Sequence, residues 1–161
     1  MTETPLQAPK AEEGTPENDH AWVSIKTSFD QQGVTAFLDD VERLFRINSQ
    51  LVFEDWKSLG DGEYQFTANN LSNEKTLSTG FKAVREGDTL TLTYTQGLRT
   101  TTTFRLDPKP DGTVDLIITD DYAGSPSDER LARIDEVDTS LVQWGRDLRL
   151  YLLNWKKWAW I

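Results

Sequence analysis

The C-terminal part of the chain shows the period of an amphipathic helix. Its apolar side chains recur at alternating steps of three and four residues, which places them on one stripe of an α-helix. The stripe consists of Ile134, Val137, Leu141, Trp144, Leu148, Tyr151, Trp155 and Trp158. Ser125 and Pro126 precede it and are typical of a helix start, because a serine hydroxyl accepts a backbone amide hydrogen and proline fits the first turn. We predict one long helix from Ser125 to Trp160, with its stripe packed on another element.

The N-terminal end of the chain has the opposite character. Residues 1–19 contain several prolines and a cluster of acidic side chains, with almost nothing apolar to bury. This composition predicts a disordered acidic tail. From His20 onward, apolar and polar residues alternate through Ala21, Val23 and Ile25, which predicts a half-buried strand. We therefore expect a single folded domain over residues 20–161.

The segment after this first strand returns to helical spacing. Its apolar positions are Val34, Phe37, Leu38, Val41, Leu44 and Phe45, with charged residues between them. We predict one or two short helices, with the break near Asp40 and the end by Asn48.

Six further strands are predicted, paired as three hairpins. Their turns contain glycine, which adopts the backbone conformations that tight turns require, and they lie at Gly60–Gly62, Glu86–Asp88 and Pro108–Gly112. Seven antiparallel strands with helices gathered on one face make an α+β fold.

This order of elements resembles the helix-grip fold of the START/Bet v 1-like superfamily, which includes polyketide cyclases and lipid carriers. The resemblance covers His20 to Trp160, and two passages carry it: VTAFLDDVERLFRIN and DLRLYLLNWKKW. It is architectural, since neither passage is a catalytic signature. It implies a seven-stranded curved antiparallel sheet, two short helices after strand one, and a long C-terminal helix packed across the sheet. Such proteins typically hold an apolar ligand between the sheet and the last helix.

Alternation along the strands indicates which side chains face that helix. The inward set mixes aliphatic and aromatic bulk with hydroxyl groups, a combination typical of a small-molecule site. The residues predicted to line the site are Tyr64, Phe66, Thr79, Phe81, Leu92, Tyr94, Thr100, Thr102, Phe104, Leu116, Ile118, Tyr122, Leu141, Trp144 and Leu148. The alternative is a filled core whose hydroxyls satisfy one another or buried waters. In the second strand the inward parity is ambiguous, because Leu51 and Phe53 oppose Val52 and Trp56.

Composition limits the classes of function. The formal net charge of −10 argues against a nucleic-acid partner, which needs basic patches. No cysteine is present, so disulfides and cysteine-ligated metals are excluded, and no metal-binding or phosphate-binding motif suggests a cofactor. The sequence shows neither a bilayer-spanning apolar run nor a secretory signal, so the expected location is cytoplasmic.

Candidate catalytic residues are few. His20 is the single histidine and lies at the edge of the acidic tail, where a solvated strand end is the simpler interpretation. Asp120 falls on the inward parity at the end of the last strand. There a desolvated carboxylate is a candidate general base for the enolisation that a cyclase or aromatase needs; the alternative is that Asp120 and Asp121 lie in water at the mouth. One inward arginine would orient an anionic ligand, but the sequence does not say which.

The C-terminus, WKKWAWI, is unusual for an acidic chain. Trp155, Lys156, Lys157, Trp158 and Trp160 are typical of a segment at a membrane interface, where indoles and lysines meet the headgroups. The alternatives are that Trp155 and Trp158 continue the packed stripe, or that the natural chain continues past Ile161.

Three hypotheses follow. The first is a protein that binds or carries an apolar small molecule such as a lipid, a quinone or a polyketide-like compound. The second is an enzyme of the polyketide cyclase/aromatase kind. The third is a membrane-surface or protein-interaction module that works through the tryptophan-rich end.

Overall fold

The computed structural model describes residues 6–7, 20–71, 74–96, 99–121 and 127–158, with side chains in these ranges except at 6–7, 127–139 and 156–158. Within these ranges the helices are α1 (Gln31–Leu38), α2 (Val41–Arg46) and α3 (Ser127–Trp158). The strands are β1 (Leu6–Gln7), β2 (His20–Lys26), β3 (Leu51–Gly60), β4 (Glu63–Asn70), β5 (Lys75–Glu86), β6 (Thr89–Tyr94), β7 (Thr101–Pro108) and β8 (Val114–Asp121).

All the strands form one antiparallel sheet in the order β1-β2-β8-β7-β6-β5-β4-β3. Strands β3 to β8 run as consecutive hairpins, and β2 joins the far edge by pairing with β8. The seven strands predicted from the sequence are confirmed, together with the α+β class. Within the predicted tail, Leu6 and Gln7 form β1, which pairs with Ile25 and Ser24 of β2. Two residues are too few to show a strand period. The rest of the predicted tail, 1–5 and 8–19, lies outside the described residues.

The hairpin turns depend on glycine where the sequence predicted it. In the turn between β3 and β4, Gly62 has a φ of 78°, in the region that side chains disfavour. A Cβ atom at this position would lie 2.6 Å from the carbonyl oxygen of Ala83. That oxygen belongs to β5, so the absence of a side chain lets this hairpin close against the neighbouring strand.

The two short helices are separated where the sequence predicted the break. Asp30 caps α1 by accepting a 2.8 Å hydrogen bond from the amide of Gly33. Asp40 caps α2 through the amide of Arg43. Between the helices, Asp39 forms a 2.9 Å ion pair with Arg85 of β5. Asp39 and Asp40 therefore both have structural partners.

Helix α3 packs on the inner face of the sheet, mainly against β2. Leu141, Trp144 and Leu148 are buried as predicted, but Tyr151 is 36% exposed and Leu152 is buried in its place. Leu152 follows Leu148 by four residues, a step that keeps a side chain on the same face of a helix as well as a step of three does. The side chains of Ile134, Val137 and Trp158, and all of Ser125 and Pro126, lie outside the described residues.

Trp144 makes the central contact of α3. Its ring centroid lies 5.2 Å from that of Phe45 of α2 and 5.5 Å from that of Phe104 of β7. Its indole nitrogen donates a 2.8 Å hydrogen bond to the carbonyl of Leu44. One side chain thus joins α2, α3 and the sheet.

We predict that Trp144→Ala lowers the free energy of unfolding by about 3–5 kcal/mol, because it leaves a cavity and an unpaired carbonyl. Urea denaturation followed by circular dichroism measures the change. Leu153→Ala on the exposed side of the same helix is the control and should change stability by less than about 0.5 kcal/mol. Equal losses in the two variants would show that α3 is not held through Trp144.

Candidate ligand-binding site on the inner face of the sheet

A β-bulge in β3 determines which of its side chains face inward. The register between β3 and β4 shifts between Phe53 and Asp55, so an extra residue enters the edge strand. As a result Phe53 and Trp56, which have opposite parities in the sequence, both pack against the core, while Val52 is 49% exposed. The bulge resolves the ambiguity of this strand and adds an inward tryptophan.

These residues belong to a continuous set of rings, which we call the aromatic wall. It consists of Phe53, Trp56, Tyr64, Phe66, Phe81 and Tyr94 on strands β3 to β6. The rings of Trp56 and Phe66 are stacked at 5.6 Å, and those of Tyr64 and Phe81 at 5.2 Å. Phe81 is also 6.0 Å from Tyr94. Phe66 and Phe81 are buried, and the other four residues are partly exposed.

A polar network lies at the Tyr94 end of the wall. Thr102 donates a 2.6 Å hydrogen bond to Oδ1 of Asp120, and its hydroxyl oxygen lies 2.7 Å from that of Tyr94. Since Thr102 has only one hydroxyl hydrogen, Tyr94 is the donor in the second contact. Nε of Arg99 lies 3.1 Å from Oδ2 of Asp120, as an ion pair rather than an aligned hydrogen bond. The network therefore runs Tyr94–Thr102–Asp120–Arg99.

Burial controls the protonation of this network. Asp120 is fully buried, and loss of solvation raises the pKa of its carboxyl group, against the opposing effects of Arg99 and Thr102. Burial likewise raises the pKa of Tyr94 to about 12, with Arg99 opposing and Asp120 reinforcing the shift. At neutral pH the Tyr94 hydroxyl consequently keeps its proton and acts as a hydrogen-bond donor.

Most residues predicted to line the site lie in the core on this inner face. Those that are 7% exposed or less are Phe66, Thr79, Phe81, Leu92, Thr102, Phe104, Leu116, Ile118, Leu141, Trp144 and Leu148. Five of them have no water-accessible surface: Leu92, Phe104, Leu116 and Ile118 of the sheet, and Leu148 of α3. Tyr64 and Tyr94 retain accessible surface on the aromatic wall. Contact of any of these residues with a ligand stays a prediction.

The start of β7 departs from the prediction. Thr100 was expected to face inward with Thr102, but its side chain is exposed. The regular strand begins only at Thr101, so alternation does not extend back to Thr100. For the same reason Arg99, whose parity would point it outward, reaches Asp120 on the inner face. Arg99 is thus an inward arginine that the sequence could not single out, and Tyr122 lies outside the described residues.

His20, the single histidine of the sequence, is exposed at the start of β2. Among the described residues no group of three or more histidine, aspartate or glutamate side chains is arranged to hold a metal ion. Within the same part of the chain no helix combines the length and the hydropathy needed to cross a bilayer.

A curved antiparallel sheet that carries two short helices after its first long strand, with a long C-terminal helix across its inner face, is the helix-grip arrangement. The chain has a START/Bet v 1-like fold, which confirms the resemblance inferred from the sequence.

Solved structures bear out this class. The chain is similar to a STAR-related lipid transfer protein from Xanthomonas axonopodis, with 14% identity over 94% of this chain and 96% of that one and a TM-score of 0.60. A START superfamily protein from Mycobacterium smegmatis has 10% identity over 84% and 97%, with a TM-score of 0.64. The di-domain ARO/CYC protein StfQ of the steffimycin biosynthetic pathway has 11% identity over 86% and 52%, with a TM-score of 0.62.

Sequence comparison adds nothing to this: no protein-family model and no curated protein matches the chain. At these low identities the structural likeness establishes the fold, and function must be argued from the site.

The buried carboxyl group predicts how stability depends on pH. The pKa of Asp120 is higher in the folded chain than in the unfolded chain, where the pKa of an aspartate is about 3.9. Between these two values the folded state binds more protons, so the contribution of Asp120 is present below the lower value and is lost as pH rises through the higher one. Asp120→Asn removes this titration. The free energy of unfolding of the wild type minus that of the variant should therefore fall as pH rises through this window.

Denaturation of both proteins at a series of pH values measures that difference, and carbon NMR of the Asp120 carboxyl group follows the titration directly. A difference that grows with pH would show that the carboxylate is stabilised rather than destabilised by folding.

Proposed function

We propose that this chain binds an apolar small molecule of the lipid, quinone or polyketide type on the inner face of the sheet, beside α3. The fold supports this because its solved relatives include a lipid transfer protein and an aromatase/cyclase. The observation that carries the proposal is the aromatic wall, in which Phe53, Trp56, Tyr64 and Tyr94 are partly exposed although they pack against the core. Interior aromatic surface without a complete protein cover is what an apolar ligand would contact.

Two polar features suggest how a ligand would be oriented. The Tyr94–Thr102–Asp120–Arg99 network lies at one end of the aromatic wall and would meet a polar group of the ligand through Arg99, whose side chain is 27% exposed. Elsewhere in the wall the indole nitrogen of Trp56 is buried and has no hydrogen-bond partner among the described residues. A buried donor without an acceptor costs stability, so an acceptor on the ligand would favour binding here.

The polar network also bears on the alternative of a cyclase/aromatase-like enzyme. Asp120 is fully buried and is held by Thr102 and Arg99, so in this arrangement it acts on a ligand through Thr102 and Tyr94 rather than by direct contact. Burial raises the pKa of Tyr94 to about 12, so its hydroxyl stays protonated; because it donates its one hydrogen to Thr102, its oxygen would accept a hydrogen bond from a hydroxyl group of the substrate. A direct role of Asp120 as general base is accordingly less favoured than orientation of the substrate. The cytoplasmic location and the absence of a nucleic-acid partner remain predictions from the sequence.

We predict that the protein binds the fluorescent apolar probe anilinonaphthalene sulfonate and that Tyr64→Ala weakens this binding by about two- to tenfold. An aromatic contact contributes about 0.5–1.5 kcal/mol, which corresponds to this range. Fluorescence titration measures the dissociation constants. Val84→Ala is the control, since Val84 is 42% exposed on the face of β5 opposite to the aromatic wall.

Equal weakening by both substitutions, or no binding by the wild type, would contradict a site on the aromatic wall. Mass spectrometry of an organic extract of the purified protein then asks which natural ligand is carried.

A further inference from the structure

A surface groove lies between α2 and the C-terminal half of α3, outside the aromatic wall. Its volume is about 420 Å³, and it is lined by Arg43, Arg46, Ile47, Asp147, Leu150, Tyr151 and Asn154. It therefore combines two cations with apolar walls.

The charges in the groove are not balanced. Asp147 is committed to the fold, because its carboxylate accepts from the amide of Ser49 at 2.7 Å and from the side chain of Gln143 at 3.0 Å. Arg46 pairs with Glu42 at 2.7 Å, with both side chains still almost half exposed. Arg43 forms no ion pair with any carboxylate of the described residues. The residues that line the groove thus carry two positive charges and one negative charge, in a chain of net charge −10.

The Arg43 guanidinium is fixed in place. Its Nη2 donates a 2.9 Å hydrogen bond to the carbonyl of Phe37. The Cζ atom of Arg43 lies 4.8 Å from the ring centroid of Phe37 and 5.3 Å from that of Trp155. An arginine held in this way would meet an anion with little loss of side-chain entropy.

Apolar side chains are exposed beside this positive groove. On α3, Leu150 is 60% exposed and Leu153 is 39% exposed. The sequence around them is basic, since residues 141–161 contain four lysines and arginines and one aspartate. Trp158 and Trp160 follow at the end of the sequence. Trp155, by contrast, packs inward against Phe29 and Phe37.

The sheet edge carries exposed apolar residues in the opposite electrostatic setting. Leu59 of β3 is 53% exposed, a fraction close to that of Leu150. Its strand also exposes Glu54 and Asp55, and Glu63 is exposed at the start of β4. Exposed apolar surface is thus combined with positive charge on α3 and with negative charge on β3.

We propose that the α2–α3 groove and the exposed face of α3 form a docking surface for an anionic lipid bilayer, with a headgroup phosphate at Arg43 and Arg46 and with Leu150 and Leu153 in the interface. An anionic bilayer attracts basic side chains through its headgroups and takes up exposed apolar side chains at its interface. Because basic residues lie beside the exposed leucines of α3 and acidic residues lie beside Leu59 of β3, an anionic partner would bind the α3 face and not β3. This docking is independent of the interior ligand, because none of the groove residues belongs to the aromatic wall.

Co-sedimentation of the full chain with vesicles tests the proposal. The protein should bind vesicles of phosphatidylcholine mixed with phosphatidylglycerol, bind phosphatidylcholine alone much less, and lose binding as salt increases. Arg46→Gln should weaken binding about fivefold, because a basic side chain near an anionic surface contributes about 1 kcal/mol. The double variant Leu150→Glu, Leu153→Glu should weaken it by about tenfold or more.

Matched controls come from β3. Lys57 is 61% exposed by side chain, so Lys57→Gln removes one surface cation as Arg46→Gln does. The double variant Val52→Glu, Leu59→Glu places the same two charges at exposed apolar residues of β3, since Val52 is 49% exposed and Leu59 is 53% exposed. Both controls should bind vesicles like the wild type, and the α3 double variant should still bind anilinonaphthalene sulfonate, which separates docking from interior binding.

Absence of wild-type binding to anionic vesicles would overturn the proposal, as would equal losses in the controls. Light scattering during size-exclusion chromatography identifies the competing explanation. If the α3 double variant changes the oligomeric state of the protein but not its vesicle binding, this face is a contact between copies of the chain and not a membrane surface.

Discussion

The arrangement of the molecule depends on the burial of Trp144. Its indole lies between Phe45 and Phe104, and its N–H group is satisfied by the carbonyl of Leu44. Leu44 lies in the last turn of α2, where carbonyls lack partners within the helix. A single contact therefore satisfies two buried polar groups and brings α2, α3 and β7 together. Helix α3 itself lies mainly against β2, with further contacts to β1 and β8.

That position of α3 divides the inner face into two parts. Where α3 packs on the sheet, Leu148 of the helix and Ile118 of β8 have no accessible surface, and this part of the face is ordinary close-packed core. Toward β3 and β4, Trp56 and Tyr64 remain partly accessible, because the short α2 supplies Phe45 but does not cover the strands. The part of the fold available to a ligand is thus set by where the helices stop, not by the composition of the strands alone.

The sequence predicted the regular elements well, and it predicted poorly wherever regularity ends. Alternation placed Leu116, Ile118 and Asp120 correctly, because β8 is paired without interruption on both sides. It could not place Trp56, since a bulge one residue long reverses parity and leaves no clear mark in the sequence.

Arg99 was missed for a related reason. Arg99 precedes β7 and does not belong to the regular strand, so the alternation of side chains along the strand does not predict which way Arg99 points. On α3, Leu152 rather than Tyr151 is buried after Leu148, because steps of three and of four residues both keep a side chain on the same face and the pattern alone does not choose between them. Local patterns therefore identify elements, whereas the candidate site depends on their ends and irregularities.

The buried Asp120 is the feature that packing explains least. Removing a carboxylate from water costs several kcal/mol, and a close arginine offsets this only in part, so an apolar residue here would often give equal or greater stability. What the carboxylate does provide is orientation. It fixes the hydroxyl of Thr102, which in turn fixes the direction in which Tyr94 donates, and Arg99 sits on the accessible side of the same carboxylate. Since Asp120 is buried against Thr102 and Arg99 and Tyr94 stays protonated, the network is suited to holding a polar group at a fixed place beside the aromatic wall, and not to removing a proton from it.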